Sequence, residues 1–281
     1  VVLGGVTLGN YLGGRLADRS RSNTLIMIVF LLSAITVLIS PTWCIAMHSW
    51  RRQIFFLAGL SWPMQIFVHV MAFCFTPCLF IGMVSPIVTG RLLAEGRAPG
   101  ASVGAIYAYG SVGAIFGTFL AGYFLIQWMG ALPVIALTAL LLIIVAMAYR
   151  PRNLLIYAAG IVFLFALLAA LGPNDTLAKA GEKLRLRTPK HANVVYEDES
   201  QYSYIAVRTE TEDANLRIMQ LDQLTHSQID LSDPTRLLYE YEWIYSAVME
   251  KNHPHPQPVR AFVIGGGGYA YPNYLVHARP E

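Results

Sequence analysis

From Gly100 to Tyr149 the chain carries no charged residue. About 20 apolar residues are enough for one helix to cross a hydrocarbon layer, and this run is far longer. Membrane burial therefore constrains the chain before anything else does. The charges elsewhere are segregated. Residues 1–172 hold nine arginines, no lysine and two acids, Asp18 and Glu95, for a net charge of +7. Residues 173–281 hold eleven basic and fifteen acidic residues, for a net of −4. The overall +3 is a sum of two unlike parts and implies no nucleic-acid partner. Charged residues make up only 13% of the sequence, against about 25% in an ordinary soluble domain. Such asymmetry predicts lipid around the first part and water around the second.

Residues 1–172 are predicted to form a transmembrane helical domain. Five stretches have the length and composition of spans: 23–40, 65–89, 101–126, 131–149 and 153–171. Residues 1–16 read as the tail of a sixth. The stretch 54–63 is short, ends at Trp62-Pro63, and reads as interfacial or as an extension of the next span. Gly5, Gly9 and Gly13 recur at every fourth position, as do Gly113 and Gly117. Small residues at that spacing let helix backbones approach closely, which supplies packing where lipid removes the hydrophobic drive. The other reading is a glycine-lined transport path. It lacks the ionisable residue that coupled transporters keep inside a span. Pro77 and Pro86 are expected to kink the 65–89 span.

Cys44, Cys74 and Cys78 all lie in the apolar part. Cys74 and Cys78 are one helical turn apart, with His69 the nearest further ligand type, which is too few donors for a metal site. No metal and no disulfide framework is expected, since residues 173–281 contain no cysteine. The segment Gly13-Gly14-Arg15-Leu16-Ala17-Asp18-Arg19 resembles the short cytoplasmic loop of major-facilitator-type transporters. Arg15, Arg19 and Arg21 agree with that side under the positive-inside rule. Five further spans would then leave residues 173–281 on the opposite side.

The composition changes at Gly172-Pro173-Asn174-Asp175, and residues 173–192 read as a polar, basic linker. Short β-branched and aromatic runs follow at Val194–Tyr196, Tyr202–Val207 and Leu216–Leu221, separated by polar turns. They predict a small antiparallel sheet. Asp233-Pro234 reads as an N-cap and first helical position, with Leu237, Tyr241, Ile244, Tyr245 and Val248 at helical spacing through about Lys251. His226 and Asp230 fall on an irregular stretch, where local hydrogen bonding is expected of both. His253-Pro254-His255-Pro256-Gln257-Pro258 reads as a stiff connector, completing a sheet-and-helix region over 193–258.

Val259–Ile264 then reads as a buried strand ending in Gly265-Gly266-Gly267-Gly268, with a helix beginning near Pro272. Strand, glycine turn and helix make the first unit of a nucleotide- or AdoMet-binding α/β fold, over 259–281. Glycines admit a ligand to the backbone, and the helix N-terminus favours electron-rich groups. The dinucleotide fingerprint is not met, because Tyr269, Ala270 and Tyr271 stand where its last glycine belongs; AdoMet-type binding fits better.

The order Tyr196-Glu197-Asp198, Leu221-Asp222, Tyr239-Glu240-Tyr241, Val263-Ile264-Gly265-Gly266-Gly267 resembles the N-terminal sheet and first Rossmann-like unit of the spermidine synthase family of aminopropyltransferases. The membrane part is similar to the N-terminal helices fused to that domain in some bacterial proteins, most closely at Gly104–Ala108 and Gly113–Gly117. The resemblance implies a helical transmembrane bundle followed by an α/β domain, set in a bacterial-type inner (plasma) membrane, with the catalytic domain in the cytoplasm. That side conflicts with the span count. It also implies transfer of an aminopropyl group from decarboxylated S-adenosylmethionine, as co-substrate, to putrescine. No prosthetic group is implied. The partners would be the lipid bilayer, a diamine, a nucleoside and, as one arrangement, further copies of the chain.

Residue by residue, the resemblance assigns Gly265, Gly266, Gly267 and Gly268 to the nucleoside cradle, with His191 standing loosely for a cofactor-contacting Gln. It assigns Asp222, Tyr239 and Glu240 to the substrate. The bland alternatives are a turn former for Asp222 and, for the pair, a core-facing Tyr beside a surface Glu. The departures are specific. Gly268 stands where the family has an amine-binding Asp, Glu240 where it has a His, and Gln223 where its Leu-Asp-Gly turn has the Gly. The catalytic base and the ribose-binding acid are expected beyond Glu281, so the chain reads as a fragment, inactive alone. The alternatives are a transporter-like protein with a degenerate or ligand-sensing AdoMet-type domain, and a methyltransferase acting on a lipid or membrane-bound substrate.

Overall fold

The computed structural model describes residues 1–50, 59–149, 154–171, 175–184, 193–211, 213–222, 224–265 and 267–279, with the backbone alone at 44–50, 154–156, 171 and 175. The chain divides into two compact units, Val1–Pro189 and Lys190–Glu281.

The first unit is helical. Helix α1 (Val2–Arg19) lies along α4 (Thr76–Ala94), and the face it buries is Gly5, Gly9, Gly13 and Ala17. A Cβ at Gly5 would sit 2.9 Å from the Phe75 carbonyl oxygen, and one at Gly13 2.7 Å from that of Met83. At Gly9 it would fall onto the carbonyl oxygen of Leu79. The contact is reciprocal, since a Cβ at Gly82 would be 2.7 Å from the Val6 carbonyl oxygen. The glycine spacing is thus used for backbone-to-backbone packing.

Helix α2 (Asn23–Trp50) packs on α4, on α7 (Ala131–Tyr149) and, through that helix, beside α8 (Leu154–Leu171). Met27, Ala34, Ala139, Ile143, Ala146 and Phe163 form one buried cluster; Ala17, Ile26, Val29, Met83 and Ile87 form another. Pro41 lies inside α2 and cannot serve the Val37 carbonyl, which instead accepts the Ser40 hydroxyl at 2.8 Å. Before Pro77, a π turn over Met71–Phe75 joins α3 (Trp62–Val70) to α4, where a missing proline N–H interrupts the regular ladder.

Among the described residues four helices are long and apolar enough to cross a membrane: Asn23–Trp43, Trp62–Ala94, Pro99–Met129 and Ala131–Tyr149. A shorter apolar helix covers Tyr157–Ala170. The chain is consistent with a membrane protein on that ground. Residues 54–58 of the stretch expected to be interfacial lie outside the described residues; Trp62 and Pro63 open α3. The third long helix comprises α5 (Pro99–Leu120), a π turn over Ala121–Leu125 and α6 (Ile126–Met129). Its Gly113 and Gly117 differ from the stripe on α1, since a Cβ at either meets nothing within 4 Å. Spacing alone does not create a partner.

The two ends of this unit are distinct. Arg91 donates to the Arg21 carbonyl at 2.8 Å and pairs with Glu95 at 2.9 Å, joining the α1–α2 loop to the end of α4. Thr42, some 28 Å farther along α2 at about 1.5 Å per residue, donates to the Leu184 carbonyl at 3.1 Å. Within the stretch read as a linker, Asp175–Lys183 is helical (α9) and packs on α8.

The second unit opens with a four-stranded antiparallel sheet in the order β1-β2-β3-β4: Val194–Glu199, Tyr204–Thr209, Leu216–Leu221 and Leu224–Asp230. Strand β4 corrects the irregular stretch expected around His226. Two helices follow, α10 (Glu240–Asn252) and α11 (Ala270–Ala278). Helix α10 begins later than expected. Asp233 instead caps a turn, accepting the Thr235 N–H at 3.0 Å, and Tyr239 is the N-cap. Val259–Ile264 is a further correction, for it is not a strand. Phe262 and Ile264 are 90% and 89% exposed, and no described strand offers a ladder. An aliphatic run becomes a strand only where a neighbour takes its backbone groups. The helical half of the expected unit is present, and the strand half is not.

Because Gly9 has no space for a side chain, Gly9→Ala should cost about 2 kcal/mol through overpacking. Gly113→Ala should leave stability unchanged. Thermal melts of the detergent-solubilised protein measure both; equal melting temperatures for the two variants would contradict the α1–α4 contact.

Candidate functional site

The start of β4 gathers Asp222, Tyr239, Gly267 and Gly268 from the residues singled out in the sequence. Asp222 closes the β3–β4 hairpin in the left-handed region, with φ 54°, where Asp is one of the few non-glycine residues at ease. Its N–H donates to the Tyr204 carbonyl at 2.8 Å, and its Oδ1 accepts the Tyr204 N–H at 3.0 Å. Asp222 therefore fastens the hairpin turn to the start of β2. Three residues on, the Thr225 carbonyl accepts the Tyr239 hydroxyl at 2.9 Å. This anchors the N-cap of α10 to the sheet. Glu240, the next residue, is exposed on the first turn of α10.

The glycine turn also approaches β4. Gly265 and Gly267 have φ 71° and 51°, conformations that favour glycine, and Tyr269 enters α11 at φ 62°. A Cβ at Gly267 would lie 3.6 Å from both the His226 carbonyl oxygen and the Tyr241 hydroxyl. One at Gly268 would lie 2.8 Å from Ser227 Oγ and 3.0 Å from Ser227 Cβ. That contact explains why a small residue occupies position 268 and no side chain, acidic or otherwise, fits without displacing Ser227. Gly266 and His191 lie outside the described residues.

Behind the turn runs a line of tyrosines. Tyr239, Tyr241, Tyr245 and Tyr271 meet edge to face at 5.2, 5.4 and 5.5 Å between successive centroids, a favoured aromatic geometry. Tyr271 stacks on Tyr274, whose hydroxyl lies 3.1 Å from Ser246 Oγ. Tyr241, Tyr245, Tyr271, Arg260, Phe262 and Gly267 line an open cavity of about 940 Å³ between α10, the 259–265 segment and α11. That is ample for a nucleoside-sized ligand. Burial first, and then the Glu242 carboxylate, push the Tyr241 phenol above its ordinary pKa.

Glu242, the third residue of α10, is a buried carboxylate that no sequence pattern marked. It is 0% exposed, and its Oε2 accepts the Leu238 and Tyr239 N–H groups at 3.3 and 3.2 Å. This is the reciprocal half of a capping box. Oε1 has no hydrogen-bond partner, nor has the buried Ser227 Oγ. Among the described residues no group of three or more His, Cys, Asp or Glu is placed to hold a metal ion.

No family model, curated protein or solved structure matches this chain.

At the far end of β4, Asp230 accepts the Ser232 N–H at 2.9 Å and the Ser232 hydroxyl, and it pairs with Arg236 at 2.9 Å. The Ser232 hydroxyl, followed by Arg236, holds its carboxyl down at about 2. A depressed folded value stabilises the fold at pH above the ordinary Asp value, and that contribution disappears as pH falls through about 2. Asp230→Asn should therefore lower the melting temperature at pH 7 and flatten its fall between about pH 4 and 2. Parallel pH–melting curves for the wild type and the variant would contradict this.

Proposed function

We propose that the chain is a membrane-anchored aminopropyltransferase of the spermidine synthase type. It would transfer an aminopropyl group from decarboxylated S-adenosylmethionine to putrescine in polyamine biosynthesis. One observation carries the reading. A left-handed glycine turn leads into α11 beside a tyrosine-walled cavity, while Asp222 and Tyr239 meet the same hairpin. The chemistry is a displacement at the carbon next to a sulfonium, with the amine nitrogen as nucleophile and methylthioadenosine as leaving group. It needs an aligned pair of substrates and one neutral amine. Gly265, Gly267 and Gly268 would receive the nucleoside against the backbone, and Tyr241 and Tyr245 would face its ring. Asp222 and Tyr239 are engaged with the backbone here, so they shape the site and bear on the diamine through the hairpin they fix. Glu240, exposed on α10, would attract the dication at longer range.

A second reading is favoured by the contact of Thr42 with Leu184. If the Arg15–Arg21 end is cytoplasmic under the positive-inside rule, residue 184 emerges at the other face. A unit exposed there would suit a ligand-sensing domain on a transporter-like bundle, away from cytosolic metabolites.

Incubating the intact membrane protein with labelled decarboxylated S-adenosylmethionine and putrescine should release labelled methylthioadenosine. Absence of that product, with methylation from S-adenosylmethionine in its place, would make the protein a methyltransferase. A reporter fused after Leu184 decides the side. Cytoplasmic activity supports the aminopropyltransferase, and activity only at the outer face supports the sensor.

A further inference from the structure

Residues 1–172 use nine arginines and no lysine. The positive-inside rule counts both cations alike, so orientation in a membrane does not explain that choice. The two differ in what they hold. A guanidinium presents a planar fork of donors that fits two oxygens of one phosphate, whereas an ammonium is a compact point charge.

Five of these arginines, Arg15, Arg19, Arg21, Arg91 and Arg97, lie where the α1–α2 loop meets the end of α4. Two acids, Asp18 and Glu95, share that end and leave it a net charge of +3. Arg91 is engaged within the fold, its Nε with Glu95 at 2.9 Å and its Nη1 with the Arg21 carbonyl at 2.8 Å. The other four are exposed, and none forms an ion pair with a described residue. Arg91 therefore holds the loop in place, and the remaining forks point to a ligand from outside the chain.

Their placement narrows its chemistry. Arg15 and Arg19 are one turn apart on α1, and like charges at that spacing weaken a helix unless an anion lies against them. The Arg15 guanidinium sits over the Tyr11 ring, 4.5 Å from its centroid. Stacking uses the flat face of the group and leaves its donor edge available. Arg15 is also about 6 Å nearer the middle of α1 than Arg19. Because α1 packs on α4, part of a helix long and apolar enough to cross a membrane, a charge at that level is costly until an anion meets it. Lipid phosphates are the anions that a bilayer supplies there. A zwitterionic headgroup adds a cation to its phosphate, which four guanidinium groups against Asp18 alone disfavour.

We infer that this end of the helical unit is a docking surface for anionic phospholipid headgroups, with Arg15, Arg19 and Arg21 as phosphate forks and Arg97 beside them. The inference is independent of the nucleoside reading of the second unit. It adds a preference for one lipid class to the charge that orients the chain.

The intact protein, taken in detergent from vesicles of equal parts phosphatidylglycerol and phosphatidylcholine, tests this when its retained lipids are counted by mass spectrometry. The wild type should keep phosphatidylglycerol over phosphatidylcholine by about fivefold or more. Arg15→Lys, Arg19→Lys and Arg21→Lys together preserve every charge, and with it the orientation, yet should lower that enrichment to about half or less. The corresponding Gln substitutions should abolish it. Arg91 and Glu95 stay intact throughout, and thermal melts check the fold of each variant. Full enrichment in the triple Lys variant would leave the arginines to orientation alone and overturn the inference. Equal retention of the two lipids by the wild type would overturn it as well. Release of the retained lipid by millimolar inorganic phosphate would assign the forks to a soluble anion and overturn the lipid partner. If either triple variant fails to fold, Arg19→Lys alone must still lower the enrichment, and an unchanged value there overturns the inference.

Discussion

Close approach at glycines that carry no Cβ is the constraint on which the packing of both units turns. In the helical unit, α1 rests on the carbonyls of Phe75, Leu79 and Met83 because Gly5, Gly9 and Gly13 leave that space empty. Helices in lipid gain nothing from leaving water, so close contact of this kind has to hold them. In the second unit the glycine meets a side chain instead, where Gly268 rests on Ser227 Oγ and Cβ beside β4. In one case the missing side chain fastens two helices. In the other it fixes a turn beside a cavity.

The start of β4 organises the second unit because hydrogen bonds reach its first turn from β2 and from the N-cap of α10. Thr225 accepts from Tyr239, Asp222 ties the preceding turn to Tyr204, and Glu242 closes the first turn of α10. Ser227 Oγ and Glu242 Oε1 are buried without a hydrogen-bond partner. At the far ends of the two helices, Arg279 pairs with Glu250 and donates to the His253 carbonyl, tying α11 to α10. The cavity between them is thus bounded by fastened elements on two sides.

Much of the helical unit was legible because burial in lipid is written in composition. The uncharged run to Tyr149 and the α1 glycines each pointed to what is found. The same spacing on α5 did not, since a pattern names a packing surface and says nothing of what meets it. Strand β4 was hidden because Asp222-Gln223 lacks the glycine that marks most two-residue hairpins, and an Asp in the left-handed region supplies the turn instead. Asp233-Pro234 resembled a helix start so closely that α10 was placed six residues early. No sequence pattern marks Glu242 as buried. It belongs to a capping box whose N-cap is a tyrosine, outside the usual Ser, Thr, Asp or Asn. Val259–Ile264 looked like a strand because aliphatic residues favour sheets, yet sheet structure is a property of pairs.

The central claim is that the turn from Gly265 to Gly268, seated on β4, receives a sulfonium nucleoside. Hydrogen–deuterium exchange of the membrane-embedded protein, with and without decarboxylated S-adenosylmethionine, addresses it at the level of single segments. The account predicts slower exchange across 265–275 and at the start of α10, with the β1–β2 hairpin unaffected. Unchanged exchange throughout 222–279 at saturating nucleoside would contradict it.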